Sequence, residues 1–111
     1  MWCLYSNNTF FVTLDVLNKQ TILNLLRDAK PILEKKYRIK ALALFGSYSR
    51  NDAITGSDID LLVDLDRSIG IEFIDLANEL EILLHNKVDL VSLNGIKPKY
   101  FSAIKPDFIY V

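Results

Sequence analysis

Residues 44–65 read LFGSYSRNDAITGSDIDLLVDL, and this stretch decides the fold. An apolar run ends at Gly46, a polar connection follows, and a second apolar run opens on two aspartates, Asp58 and Asp60. Alternation along a strand sends Asp58 and Asp60 to the same side, with α-carbons about 6.6 Å apart. Two unit charges at about 6 Å repel by roughly 3 kcal/mol at an effective dielectric near 20. A bound divalent cation reverses that cost. Oxygen ligands without a supply of imidazole or thiolate favour magnesium or manganese over zinc.

Working outward, "IKALALF" (39–45) is too short and too evenly apolar for a free helix and reads as a strand ending at Gly46. "DIDLLVDL" (58–65) is the next strand, with Ile59, Leu61, Val63 and Leu65 on the core face and Asp58, Asp60, Leu62 and Asp64 on a largely acidic one. Upstream, Ile22, Leu25, Leu26, Ala29, Leu33 and Tyr37 recur at helical spacing. Asn18 or Thr21 caps that helix, and Pro31 is expected to kink or divide it. Downstream, 71–85 has helical periodicity, "KVDLVSL" (87–93) reads as a third strand, "IKPKYFSAIKP" as a short helix, and "FIYV" as a closing strand or tail. Residues 9–14, "TFFVTL", read as a short strand or an extended arm.

The resulting order is helix, strand, strand, helix, strand, helix, strand, an α/β (α+β) arrangement in which helices flank a small mixed sheet. We expect one domain over 1–111, with a core of about 20–111 and residues 1–19 as an N-terminal arm.

The chain has 111 residues and a net charge of −1, so no global charge drives it toward nucleic acid, and direct nucleic-acid binding is not expected. The distribution is uneven: Lys19 to Arg50 holds eight Lys or Arg against Asp28 and Glu34, and Asn51 to Leu90 holds ten acids against Arg67 and Lys87. The single cysteine, Cys3, forms no intramolecular disulfide, the first ten residues do not read as a secretory signal, and no apolar run reaches the roughly 20 residues of a membrane span. A cytoplasmic location is expected. One His and one Cys assemble neither a Ser-His-Asp triad nor a classical zinc site. His85 reads as a helix-end residue, and Tyr100, Phe101, Phe108 and Tyr110 as packing residues.

Magnesium held by one or two carboxylates leaves positions for phosphate oxygens. Gly46 and Ser47 suit a phosphate cradle, because glycine admits close backbone approach and the following amides and the hydroxyl donate. Arg50, a turn later, either reaches the same phosphates or forms a surface ion pair. No Walker lysine is present. Asp89 is a third strand acid, placed to complete a metal site or to accept a proton if its strand lies beside that of Asp58 and Asp60.

Gly46-Ser47, ten residues, then Asp58-Ile59-Asp60, with Asp89 following, resembles the DNA polymerase beta type nucleotidyltransferase superfamily. The wording "GSYSR…SDIDLLVDL" is most similar to its minimal nucleotidyltransferase (MNT) domains, often antitoxins paired with HEPN toxins. The resemblance implies that Gly46 and Ser47 hold ATP, that Asp58 and Asp60 ligate two Mg²⁺ ions, and that Asp89 is the third family carboxylate. It implies transfer of AMP to a protein hydroxyl, a tyrosine of the HEPN partner in toxin-pairing members, with release of pyrophosphate. The chain departs from the commonest wording at Asn51, where glycine is frequent. Two alternatives stay open: an antitoxin that neutralises its partner by occlusion alone, and nucleotidyl transfer to a small molecule.

Overall fold

The structure is a computed structural model that describes residues 18–66 and 70–111. The expected strand or arm at 9–14, and Cys3, lie outside the described residues.

Helix α1 spans Lys19–Tyr37. Asn18 is its cap: the side-chain oxygen accepts from the Thr21 amide at 2.9 Å. Asn18→Ala is expected to cost about 1 kcal/mol of folding stability, read as a lower urea midpoint at unchanged slope. Pro31 neither ends nor divides α1. Its ring is on the exposed side, while Ile22, Leu23 and Leu26 before it and Leu33 and Tyr37 after it are buried. Burial on both sides outweighs the roughly 3 kcal/mol that an interior proline costs a helix.

Strand β1 (Ile39–Phe45) runs into a five-residue helix, α2 (Gly46–Arg50), and the chain returns as β2 (Ile59–Leu65). Helix α3 (Ile71–Leu84) then crosses over to β3 (Val88–Ser92). A 3₁₀ turn at Leu93–Gly95, helix α4 (Pro98–Ile104), a second 3₁₀ turn at Lys105–Asp107 and β4 (Ile109–Tyr110) complete the order. The sheet order is β3-β2-β1-β4. β1 pairs antiparallel with β2 and β4, and β2 pairs parallel with β3. The sheet is therefore mixed, with the helical crossover that a parallel pair requires.

The central strands are buried on both faces. Ile59, Leu61, Val63 and Leu65 pack with Leu26 and Leu33 of α1 and Leu76 and Leu80 of α3 in the main core. On the opposite face, Leu62 joins Ala43 and Phe45 in a second cluster under Ile104 and Phe108. Phe108 meets Phe45, Phe101 and Tyr110 edge to face at 5.6–6.0 Å, so these aromatics act in packing. The face expected to be acidic is thus apolar over its middle and acidic at its end. His85 closes α3 in the left-handed region, at φ 52°. No helix among the described residues is long and apolar enough to cross a membrane.

Candidate active site

Strand register assembles the site. Phe45, the last residue of β1, lies opposite Asp60 of β2, and Asp60 lies opposite Asp89 of β3. Because β1 and β2 are antiparallel and β2 and β3 parallel, the C-terminal end of β1 meets the N-terminal ends of the other two. The turn at Gly46 and the carboxylates of Asp60 and Asp89 therefore share one edge, although 43 positions separate the first from the last.

Gly46 has φ +76°, a left-handed conformation that favours glycine. A Cβ built there would lie 2.0 Å from Asp60 Oδ2 and 2.9 Å from its Cγ. The missing side chain is the space that the Asp60 carboxylate occupies. Close approach to a ligand was the sequence-based reason for a glycine here; close approach to Asp60 is a second one. The opening turn of α2 has no side-chain cap. Asn51 ends α2 at φ 65° and ψ 28°, and its amide bonds back to Ser47 and Tyr48 carbonyls. Asparagine tolerates the left-handed region better than other side chains, which accounts for its standing where glycine is frequent.

Asp60 is partly buried, whereas Asp58 and Asp89 are exposed. Burial, first, and then the negative charges of Asp89 and Asp58 push the Asp60 carboxyl up to about 6, with a hydrogen bond to Asp89 adding to the effect. The positive charge of Arg50 opposes them. Among the described residues, no three His, Cys, Asp or Glu side chains gather into a ready-made metal site. The expected set of Asp58, Asp60 and Asp89 is thus on one edge without converging as a closed cage. Three like charges held together repel in the absence of a cation. The donor set itself, all carboxylate oxygen and strained by its own charge, fits a hard divalent ion that takes its remaining ligands from phosphate and water.

Arg50, although exposed, is tied to two carboxylates. Its Nε donates to Asp52 Oδ2 at 2.9 Å and its Nη1 to Asp107 Oδ2 at 2.7 Å. Sequence reasoning missed Asp107, because nothing in "KPDFIY" marks a residue 57 positions from Arg50 as its neighbour. It also missed Ser49, which is buried and donates its hydroxyl to the Asp107 main-chain carbonyl.

A mixed sheet with flanking helices, and a glycine turn set against a strand carboxylate, is nucleotidyltransferase architecture. The sequence profile of the family "Polymerase beta, Nucleotidyltransferase" matches residues 27–105. The chain belongs to this nucleotidyltransferase family. It is 42% identical over 92 residues to a Methanocaldococcus jannaschii protein named "Putative protein adenylyltransferase", covering 81% of this chain and 94% of that one. It is 32% identical over 97 residues to the protein adenylyltransferase MntA of Thermococcus cleftensis, covering 86% and 98%. Among solved structures, it superposes with TM-score 0.55 and 29% identity on a chain from the complex of tri-AMPylated Shewanella oneidensis HEPN toxin with MNT antitoxin, covering 85% of this chain and 68% of that one.

Proposed function

We propose that this chain is the antitoxin of a HEPN–MNT pair, a protein adenylyltransferase that moves AMP from ATP to a hydroxyl of its cognate HEPN toxin and thereby neutralises it. The observation that carries the reading is the row formed by the Gly46 turn, Asp60 and Asp89 across three strands. The names of its relatives and the AMPylated toxin in the similar complex support the same chemistry. A cytoplasmic setting supplies both ATP and Mg²⁺.

The placement of these residues supports the following roles. Gly46 and Ser47, at the opening of α2, receive the triphosphate, and Arg50 closes on it from the end of the same helix. Asp58, Asp60 and Asp89 are the residues to hold Mg²⁺, which when bound neutralises the developing charge on the phosphates. The acceptor hydroxyl oxygen bonds to the α-phosphorus of ATP, the bond from that phosphorus to the bridging oxygen breaks, and pyrophosphate leaves with the electron pair. Asp89, exposed and opposite Asp60 in the strand register, takes the hydroxyl proton in this reading. The site opens at the edge of a small sheet, so the partner protein brings the acceptor to it.

The test is incubation with labelled ATP, Mg²⁺ and the HEPN partner, read by intact mass of the partner. An AMP adduct that disappears with Asp58→Asn plus Asp60→Asn is expected. Neutralisation that persists in that double variant without any adduct would transfer the case to occlusion by binding.

A further inference from the structure

We propose that Asp107, on the 3₁₀ turn Lys105–Asp107, is a positioning residue that presents Arg50 to the triphosphate. The inference rests on the nucleotide-binding role given to Arg50 above, and adds a residue from the far end of the chain to that site.

Asp107 grips α2 at two points. Its carboxylate accepts from Arg50 Nη1 at 2.7 Å, and its main-chain carbonyl accepts from the Ser49 hydroxyl. Ser49 is buried, at 7% exposure, so this second contact is shielded from solvent. From the other side, Lys19 Nζ of α1 donates to the Ser49 carbonyl at 3.2 Å. The last turn of α2 is thereby clasped between the start of α1 and the 3₁₀ turn before β4.

Arg50 would otherwise be a long side chain, about half exposed, at the end of a five-residue helix. A guanidinium carries five N–H donors in a rigid fork. Asp52 and Asp107 each engage one donor. The remaining three are free to meet phosphate oxygens while the two anchors fix the plane of the fork. Arg50 also acts electrostatically on Asp60, so its positive charge is felt at the carboxylate row. The side chain of Asp107 is only 20% exposed, so it is a firmer anchor than Asp52 at 54%. An ion pair to a half-exposed arginine adds little to folding stability. Its removal is therefore read in nucleotide affinity.

Asp107→Asn separates the two contacts, because it removes the charge and keeps the main-chain carbonyl that Ser49 uses. Dissociation constants for a non-hydrolysable ATP analogue with Mg²⁺, and kcat and KM for AMP transfer, are measured on the full chain. Asp107→Asn is expected to raise Kd and KM about 5- to 10-fold with kcat within about twofold and the thermal midpoint within about 2 °C. Asp107→Glu is expected to return Kd to near wild type. In an Arg50→Ala background, Asp107→Asn is expected to add nothing, since both changes cut the same link.

Unchanged Kd in Asp107→Asn, where Arg50→Ala weakens binding, overturns the inference. So does a lower midpoint with reduced kcat at unchanged KM, the mark of a scaffold residue. Unchanged Kd in Arg50→Ala overturns it as well, by removing the nucleotide role of Arg50. A wild-type chain that binds the analogue and transfers no AMP fails the adenylyltransferase reading alone, and the Kd series still decides the role of Asp107.

Discussion

Gly46→Ala is expected to reduce AMP transfer by about 100-fold or more, although it adds a single methyl group. The added carbon would lie 2.0 Å from Asp60 Oδ2, far inside contact distance, so one of the two must move. Gly46 is held in line by β1, whose partner Asp60 sits directly across from Phe45, and the backbone has little freedom to retreat. The carboxylate is therefore the group that turns away, and with it the oxygen placed for the metal. The left-handed φ of +76° adds roughly 1–2 kcal/mol of strain for a residue with a Cβ. A lower urea midpoint, with most of the molecule still folded at 25 °C, should accompany the lost activity. Near-normal transfer in Gly46→Ala would show that Asp60 does not need its present position.

The two central strands and the turn between them could be read from residues 39–65 because each signal there is local. A continuous apolar run fixes β1, alternation fixes which side Asp60 takes, and Gly46 marks the end of the strand. The pairing of Asp60 with Asp89 followed once the third strand was placed beside the second, as the register shows. Of the two outcomes the sequence allows at Pro31, division of the helix does not occur, because a local rule is set there against burial on both sides. The sequence puts Leu62 on a largely acidic strand side because its cover, Ile104 and Phe108, comes from more than 40 residues away. The sequence leaves Arg50 between phosphate and ion pair for the same reason. Its partner Asp107 is a non-local contact on which no short-range pattern bears. The failure of the three acids to close into one metal group is likewise invisible in spacing, which gives side and separation but no side-chain convergence.

Asp60→Asn is expected to abolish transfer, by at least about 100-fold, while making the metal-free protein more stable at alkaline pH. The sign follows from the direction of the shift. The folded chain raises the Asp60 carboxyl from its ordinary 3.8 to about 6, so the folded state holds this proton more tightly than the unfolded one. The contribution to stability is fully present below about 3.8 and is lost as pH rises through about 6. Above that, the ionised carboxylate burdens the fold by an amount on the order of 3 kcal/mol from the pKa difference, reduced to about 1–2 kcal/mol by solvent screening at a partly exposed site. Asparagine carries no charge to repel Asp58 and Asp89, so the variant should gain that stability at pH 8 and show little difference near pH 4. Mg²⁺ should raise the wild-type midpoint at pH 8 and do less for Asp60→Asn, because a ligand stabilises the state that binds it. Chemical denaturation at both pH values, with and without Mg²⁺, measures all of this. A variant that is less stable than wild type at pH 8 would make Asp60 a structural residue, and a site that stores repulsion for a cation would have no basis.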